Sequence, residues 1–77
     1  MDLNHLVVFQ AVAQTQSFSR AAVHLGMDKS RVSRVVGMLE AALGTVLLVR
    51  TTRSVRLTPD GESLSLRAGP LLAALQQ

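Results

Sequence analysis

Lys29, Arg31 and Arg34 fall within six residues, interleaved with Ser30 and Ser33 and followed by Gly37, in the stretch DKSRVSRVVGMLE. An ammonium and two guanidiniums supply hydrogen-bond donors only, whereas each hydroxyl both donates and accepts. Such a set suits the binding of an anionic surface rich in acceptors. It does not suit bond making, because no serine sits in a nucleophile elbow or beside a His-Asp partner. His5 and His24 are the two histidines, and there is no cysteine and no acid pair at ligand spacing, so no metal site is expected. No glycine-rich phosphate loop occurs either. The expectation is a chain without catalytic residues and without a cofactor.

Helices must carry these residues. Leu3, Leu6, Val7, Phe9, Val12 and Ala13 recur at the spacing of a first helix with one wide apolar face, and polar QTQS ends it. Ser17 is placed to cap a second helix, Phe18 to Leu25, that buries Phe18, Ala21, Ala22 and Leu25 and stops at Gly26. Asp28 then caps a third, Lys29 to Leu43, ended by Gly44. At about 100° per residue, Val32, Val36, Leu39 and Leu43 of that helix form a core stripe. Ser30, Arg34 and Gly37 lie opposite the stripe, with Lys29, Ser33 and Arg31 flanking them. The cations and the small residues therefore share an exposed face. A plain solvated helix would more often carry Glu–Lys pairs at four-residue spacing.

Beyond Gly44 the pattern changes. VLLVR and SVRLT predict a two-stranded hairpin with Thr51–Ser54 at or near its tip, and a lone hairpin must lean on the helices. Thr58 with Pro59 starts a fourth helix. Leu64, Ala68, Leu71 and Leu75 space out a seam along it, which serves as core or as a dimer interface, and Gly69-Pro70 should kink it.

The chain has 77 residues, enough for one small domain that buries about 60% of its unfolded surface. Its N-terminus, MDLNHLVVFQAVAQ, is neither a signal peptide nor a membrane span, so the expected setting is cytoplasmic, with no membrane partner. Net charge is +3, and seven of the eight basic residues lie between Arg20 and Arg56, opposed there only by Asp28 and Glu40. Clustered charge of this kind points to a polyanion. Readers of single strands and RNA use aromatic platforms, but this chain has no Trp or Tyr and both Phe residues fit helix cores. A basic helix with small residues on its outer face instead fits the major groove of double-stranded DNA.

Three blocks carry a family resemblance: F-x-x-V-A-x-x-x-S-F-S-R-A-A-x-x-L from Phe9 to Leu25, V-S-R-x-V-x-x-L-E-x-x-L-G from Val32 to Gly44, and L-L-V-R-T-T-R-S-V-R-L-T-P-D-G from Leu47 to Gly61. In order and spacing the chain resembles the N-terminal DNA-binding domain of the LysR-type transcriptional regulators. The resemblance implies a mainly α fold: a winged helix-turn-helix over residues 1–58, with a three-helix core and a two-stranded β wing, followed by a long linker helix over 59–77. It further implies sequence-specific binding to double-stranded DNA by a homodimer on an inverted repeat. A small-molecule effector would act only through a C-terminal domain not present in this chain, which would make the chain a DNA-binding fragment.

By that resemblance Lys29, Ser30, Ser33 and Arg34 read the major groove, with Arg31 a neighbour on the phosphates. Arg53 at the wing reaches the minor groove or its phosphates. Arg20, Ser17, Thr51, Thr52 and Arg50 are further candidates for the backbone, and Arg50 and Arg56 have Glu40 as an alternative partner inside the domain. Leu64, Ala68, Leu71 and Leu75 would form the dimer seam. Where relatives often have Gln and Ala, this chain has Lys29 and Arg31, so its preferred bases cannot be transferred from them. Two other readings remain open on the residues: a short architectural DNA-binding protein, and a winged-helix protein-interaction module.

Overall fold

The computed structural model describes residues 2–76, so Met1 and Gln77, the outermost residues of the two expected spans, lie outside the described residues. The elements run α1 Leu3–Thr15, α2 Phe18–Leu25, α3 Lys29–Leu43, β1 Leu48–Arg50, β2 Val55–Leu57 and α4 Pro59–Leu75. The mainly helical fold with one antiparallel hairpin is the expected one. In the hairpin Leu48 pairs with Leu57, Val49 with Arg56 and Arg50 with Val55, leaving Thr51–Ser54 as the turn.

Side-chain caps set the starts of three helices. Asp2 accepts from the Asn4 N–H at 2.8 Å, Ser17 from Arg20 at 3.1 Å and Thr58 from Gly61 at 3.0 Å, each meeting a donor that the first helical turn leaves without a partner. Asp28 departs from expectation. It occupies the cap position of α3, but only its carbonyl is engaged, accepting from Val32 at 3.0 Å; its carboxylate makes no capping bond. Its contribution is confined to a negative charge near the positive end of the helix. Left-handed residues end the first three helices, Gly26 after α2, Gly44 after α3, and Gln16 (φ 54°) after α1.

The core gathers Phe9 and Val12 of α1, Val32, Val36 and Leu39 of α3, and Leu47 just before β1, all essentially inaccessible. Two expected faces are corrected. In α1 Leu3 is half exposed while Val8 and Gln10 are buried, because α1 is the central helix, touching α2 and α3 on one flank and α4 on another. In α3 Val32, Val36 and Leu39 are buried as expected, but Leu43 is 39% exposed, since the chain turns away at Gly44 before anything covers it.

The expected seam of α4 divides. Ala68 is buried against the chain's own core and Leu64 packs at its edge, joined by Leu72, whereas Leu71 and Leu75 are more than half exposed. Ala68 is thus closed off inside the monomer and is unavailable to a second copy. A buried polar pair fixes this packing: Gln10 accepts from the Ser65 hydroxyl at 2.9 Å and donates to the Ser65 carbonyl at 3.3 Å. Pro70 stays within the helix, which continues to Leu75.

The hairpin is joined to the helices at one knot. Glu40 Oε2 accepts from the backbone N–H of Leu47 at 2.7 Å and of Leu48 at 3.3 Å. Its carboxylate therefore holds the start of β1 and pairs with neither Arg50 nor Arg56. Thr58 donates its hydroxyl to the Val46 carbonyl and its N–H to the Leu47 carbonyl. Gly61, in the first turn of α4, lies so close that a Cβ there would run into the Leu47 carbonyl oxygen.

Two stability effects follow from the knot. Gly61→Ala should destabilise the chain by about 1–3 kcal/mol despite alanine's better helix propensity, because backbone must give way; an unchanged denaturation midpoint would contradict the close approach. Glu40→Ala should cost about 1–3 kcal/mol by leaving the buried Leu47 N–H without an acceptor, and Glu40→Gln, which keeps a carbonyl oxygen, should cost less. Urea unfolding of the pair checks the order.

Candidate nucleic-acid interface

One open groove collects most of the expected contact residues. Its walls are the start of α2, the start of α3 and the wing, and it is lined by Ser17, Lys29, Ser30, Ser33, Arg50, Thr51, Thr52 and Arg53, together with Gln16, Phe18, Ser19, Ser54 and Val55. Residues that are far apart in sequence meet there because the knot at Leu47 folds the hairpin back beside the helices. No carboxylate lines the groove. Among the described residues the one contact between a basic and an acidic side chain at ion-pair distance joins the His5 imidazole and Asp2 at 3.7 Å, outside the groove, so the Lys and Arg side chains of the groove have no acid to neutralise them. The N-termini of α2 and α3 open onto the same space, and their unpaired backbone N–H groups add partial positive charge.

Individual roles differ along the groove. Ser17 uses an oxygen lone pair for its cap, which leaves its O–H able to donate. Lys29 and Ser30 stand exposed in the first turn of α3, and Ser33 follows one turn on, half-buried. Thr51, which lines the groove, also has a structural part. Its hydroxyl oxygen accepts from the backbone N–H of Ser54 at 3.0 Å and of Arg53 at 3.3 Å, and its proton is aimed at the Ser54 carbonyl at 3.1 Å. The Thr51 hydroxyl therefore builds the turn that presents Arg53. Thr52 and Arg53 are exposed at the tip.

Three expected residues lie outside the groove. Arg34 is exposed on the outer face of α3, one turn beyond Ser30 and in line with Gly37, and so extends the exposed helix face beyond the groove. Arg31 borders a separate hollow between the starts of α1 and α3, with Asp2, His5 and Met27. Arg20 faces the far side of α2 beside Gln14, Val23 and His24. One contact had no signal in the sequence: the Arg50 guanidinium lies over the Phe18 ring, 4.1 Å from its centroid. Phe18 reads as core from its helical spacing, and only the folded hairpin brings residue 50 over it.

No group of three or more His, Asp or Glu side chains is placed to hold a metal ion among the described residues. Among the described residues no helix is long and apolar enough to cross a membrane.

Comparisons with known proteins agree with this architecture. The description "Bacterial regulatory helix-turn-helix protein, lysR family" matches residues 3–62. The chain is 46% identical to the uncharacterized HTH-type transcriptional regulator YhjC of Escherichia coli over 78 residues, covering all of this chain and 26% of YhjC. It is 52% identical to the HTH-type transcriptional regulator PtxR of Pseudomonas aeruginosa over 64 residues, 83% of this chain and 20% of PtxR. It thus spans about a quarter or less of the length of these curated relatives. Among solved structures, the BenM_DBD/catB site 1 DNA complex superposes with TM-score 0.94 at 40% identity, over all of this chain and 86% of that one. The CbnR_DBD–DNA complex superposes with TM-score 0.91 at 33% identity, over 99% of this chain and 87% of that one. With the helix-turn-helix, the wing and the matched span in agreement, this chain belongs to the LysR family of bacterial regulatory helix-turn-helix proteins.

Proposed function

We propose that this chain is the DNA-binding part of a bacterial transcriptional regulator and binds double-stranded DNA in a sequence-specific way. The observation that carries the reading is the acid-free groove of cations and hydroxyls running from the first turn of α3 to the wing tip. Two relatives of the same fold stand in DNA complexes, which supports the same partner. Residues up to Thr58 form the reading head. The start and middle of α3 enter the major groove, where Lys29, Ser30, Ser33 and Arg34 meet base edges and Arg31 and Arg20 meet phosphates. The wing follows the backbone, and Arg53 reaches the adjacent minor groove or its phosphates. Ser17, Thr52 and Arg50 add phosphate contacts at the groove wall, and Thr51 acts by shaping the turn.

Two copies joined through α4 bind an inverted repeat, with half-sites about one helical turn of DNA apart, roughly 34–36 Å. In that arrangement the exposed Leu71 and Leu75 are the seam residues left to face a partner, with Leu64 at its edge. The work is done in the cytoplasm, involves no enzymatic step or cofactor, and any small-molecule effector acts through a separate C-terminal domain. Phosphate contacts supply most of the affinity and the α3 face the choice of bases.

Selection of bound duplexes from a random pool at two salt concentrations tests the proposal. Enrichment of an inverted repeat is expected, and salt-sensitive binding with no enriched sequence would replace specific regulation by an architectural role. On the selected site, Arg34→Ala or Ser33→Ala should reduce discrimination against a mismatched base pair by about 1–3 kcal/mol, a change read by competition with the mismatched duplex. Arg53→Ala should weaken every duplex alike and lower the slope of log affinity against log salt by about 0.9. An unaltered slope would remove the wing from the contact surface.

A further inference from the structure

We infer that Phe18 is a positioning residue of the DNA-binding surface: its ring holds the Arg50 guanidinium in the groove and so sets the wing relative to the starts of α2 and α3. The inference rests on the DNA-binding reading above. It adds a residue whose type and burial otherwise mark it as simple core.

Phe18 is the first residue of α2, directly after the capping Ser17, and is only 7% exposed. Most of its ring serves the core, but one face is covered by the Arg50 guanidinium at 4.1 Å from the centroid, well within the roughly 6 Å over which a ring attracts a cation. Arg50 is the last residue of β1, immediately before the turn that presents Arg53. Among the described residues it has no carboxylate within ion-pair distance, so the ring is what orders it. The long arginine side chain has many rotamers to lose, and one already ordered on a ring loses fewer when DNA arrives. The ring offers no lone-pair acceptor, and the Arg50 guanidinium makes no hydrogen bond among the described residues, so the contact does not use up its five N–H donors. All five stay available to phosphate oxygens. The Thr51 hydroxyl closes the turn through the Arg53 and Ser54 N–H groups, so the orientation set at Arg50 is passed to Arg53 through a short, internally bonded segment. A phenylalanine needed only for packing would be replaced without loss of DNA binding by leucine.

The test is a cycle of Phe18→Leu, Arg50→Ala and the double variant in the 77-residue chain, with circular dichroism to confirm the fold. Affinity is measured on a random-sequence duplex across salt, because phosphate contacts do not depend on sequence. Phe18→Leu should weaken binding about two- to fivefold and should have no further effect once Arg50 is alanine. An equal loss with and without Arg50 would make Phe18 a packing residue and overturn the inference. So would a Phe18→Leu chain that binds as tightly as the unsubstituted one. Arg50→Lys, at an exposed position, carries the test if Phe18→Leu fails to fold. It keeps the charge and loses the guanidinium over the ring, so the salt slope should hold while affinity falls by a similar factor; unchanged affinity would again overturn it. Failure of the unsubstituted chain to bind any duplex would remove the DNA-binding reading itself, whereas an additive cycle in a chain that binds removes only this one.

Discussion

The start of α4 crosses the start of β1 at backbone contact, with Gly61 against the Leu47 carbonyl, and the placement of the wing depends on that crossing. Around it Thr58 bridges the Val46 carbonyl and the Gly61 N–H, while Glu40 of α3 takes the N–H groups of Leu47 and Leu48. Three elements are thus tied through backbone groups whose geometry is stiff. Strands of three residues could not hold a hairpin in place by their own ladder. The part-buried carboxylate–amide bonds are the stronger charge-assisted kind, and they lie where Leu47 enters the core. The wing is therefore anchored at its base through α3 and α4.

That arrangement explains the electrostatics of the groove. Seven of eight basic residues occupy the middle of the chain, but sequence clustering by itself does not make a surface. The knot turns Arg50, Arg53 and the turn hydroxyls toward Lys29, Ser30 and Ser33, and the two helix starts face the same space. Glu40, which could have paired with a wing arginine, is occupied by backbone N–H groups instead. Positive potential is left unopposed on one side of the molecule. The small hydroxyl residues of α3 keep that side open enough for a close ligand. The opposite flank, by contrast, is used for packing: α1 is covered by α4 through the Gln10–Ser65 pair and Ala68.

Local signals in the sequence were reliable where a single residue decides the backbone. Ser17 and Thr58 cap helices, Gly26 and Gly44 end them in the left-handed conformation, and Thr51–Ser54 makes the turn. These are short-range effects, carried by a hydroxyl within reach of an N–H or by a missing Cβ. The same reasoning misplaced Leu3 and Leu43 and left Ala68 open between core and dimer seam, because periodicity says which residues share a face but not whether another element covers it. Asp28 shows the other limit: its type and position suit a cap, yet its carboxylate makes no bond to the helix.

Amino-acid order by itself determined the helical boundaries, the basic character of the outer face of α3 and, through three spaced blocks, the family. Only the tertiary structure decided which cations share a groove, that Glu40 serves β1 and that Arg50 rests on Phe18. The physical reason is distance along the chain. Capping and turn formation act over a few residues and leave a local trace. The contact between residues 18 and 50 and the approach of residue 61 to residue 47 depend instead on how whole elements pack, and no local pattern records them.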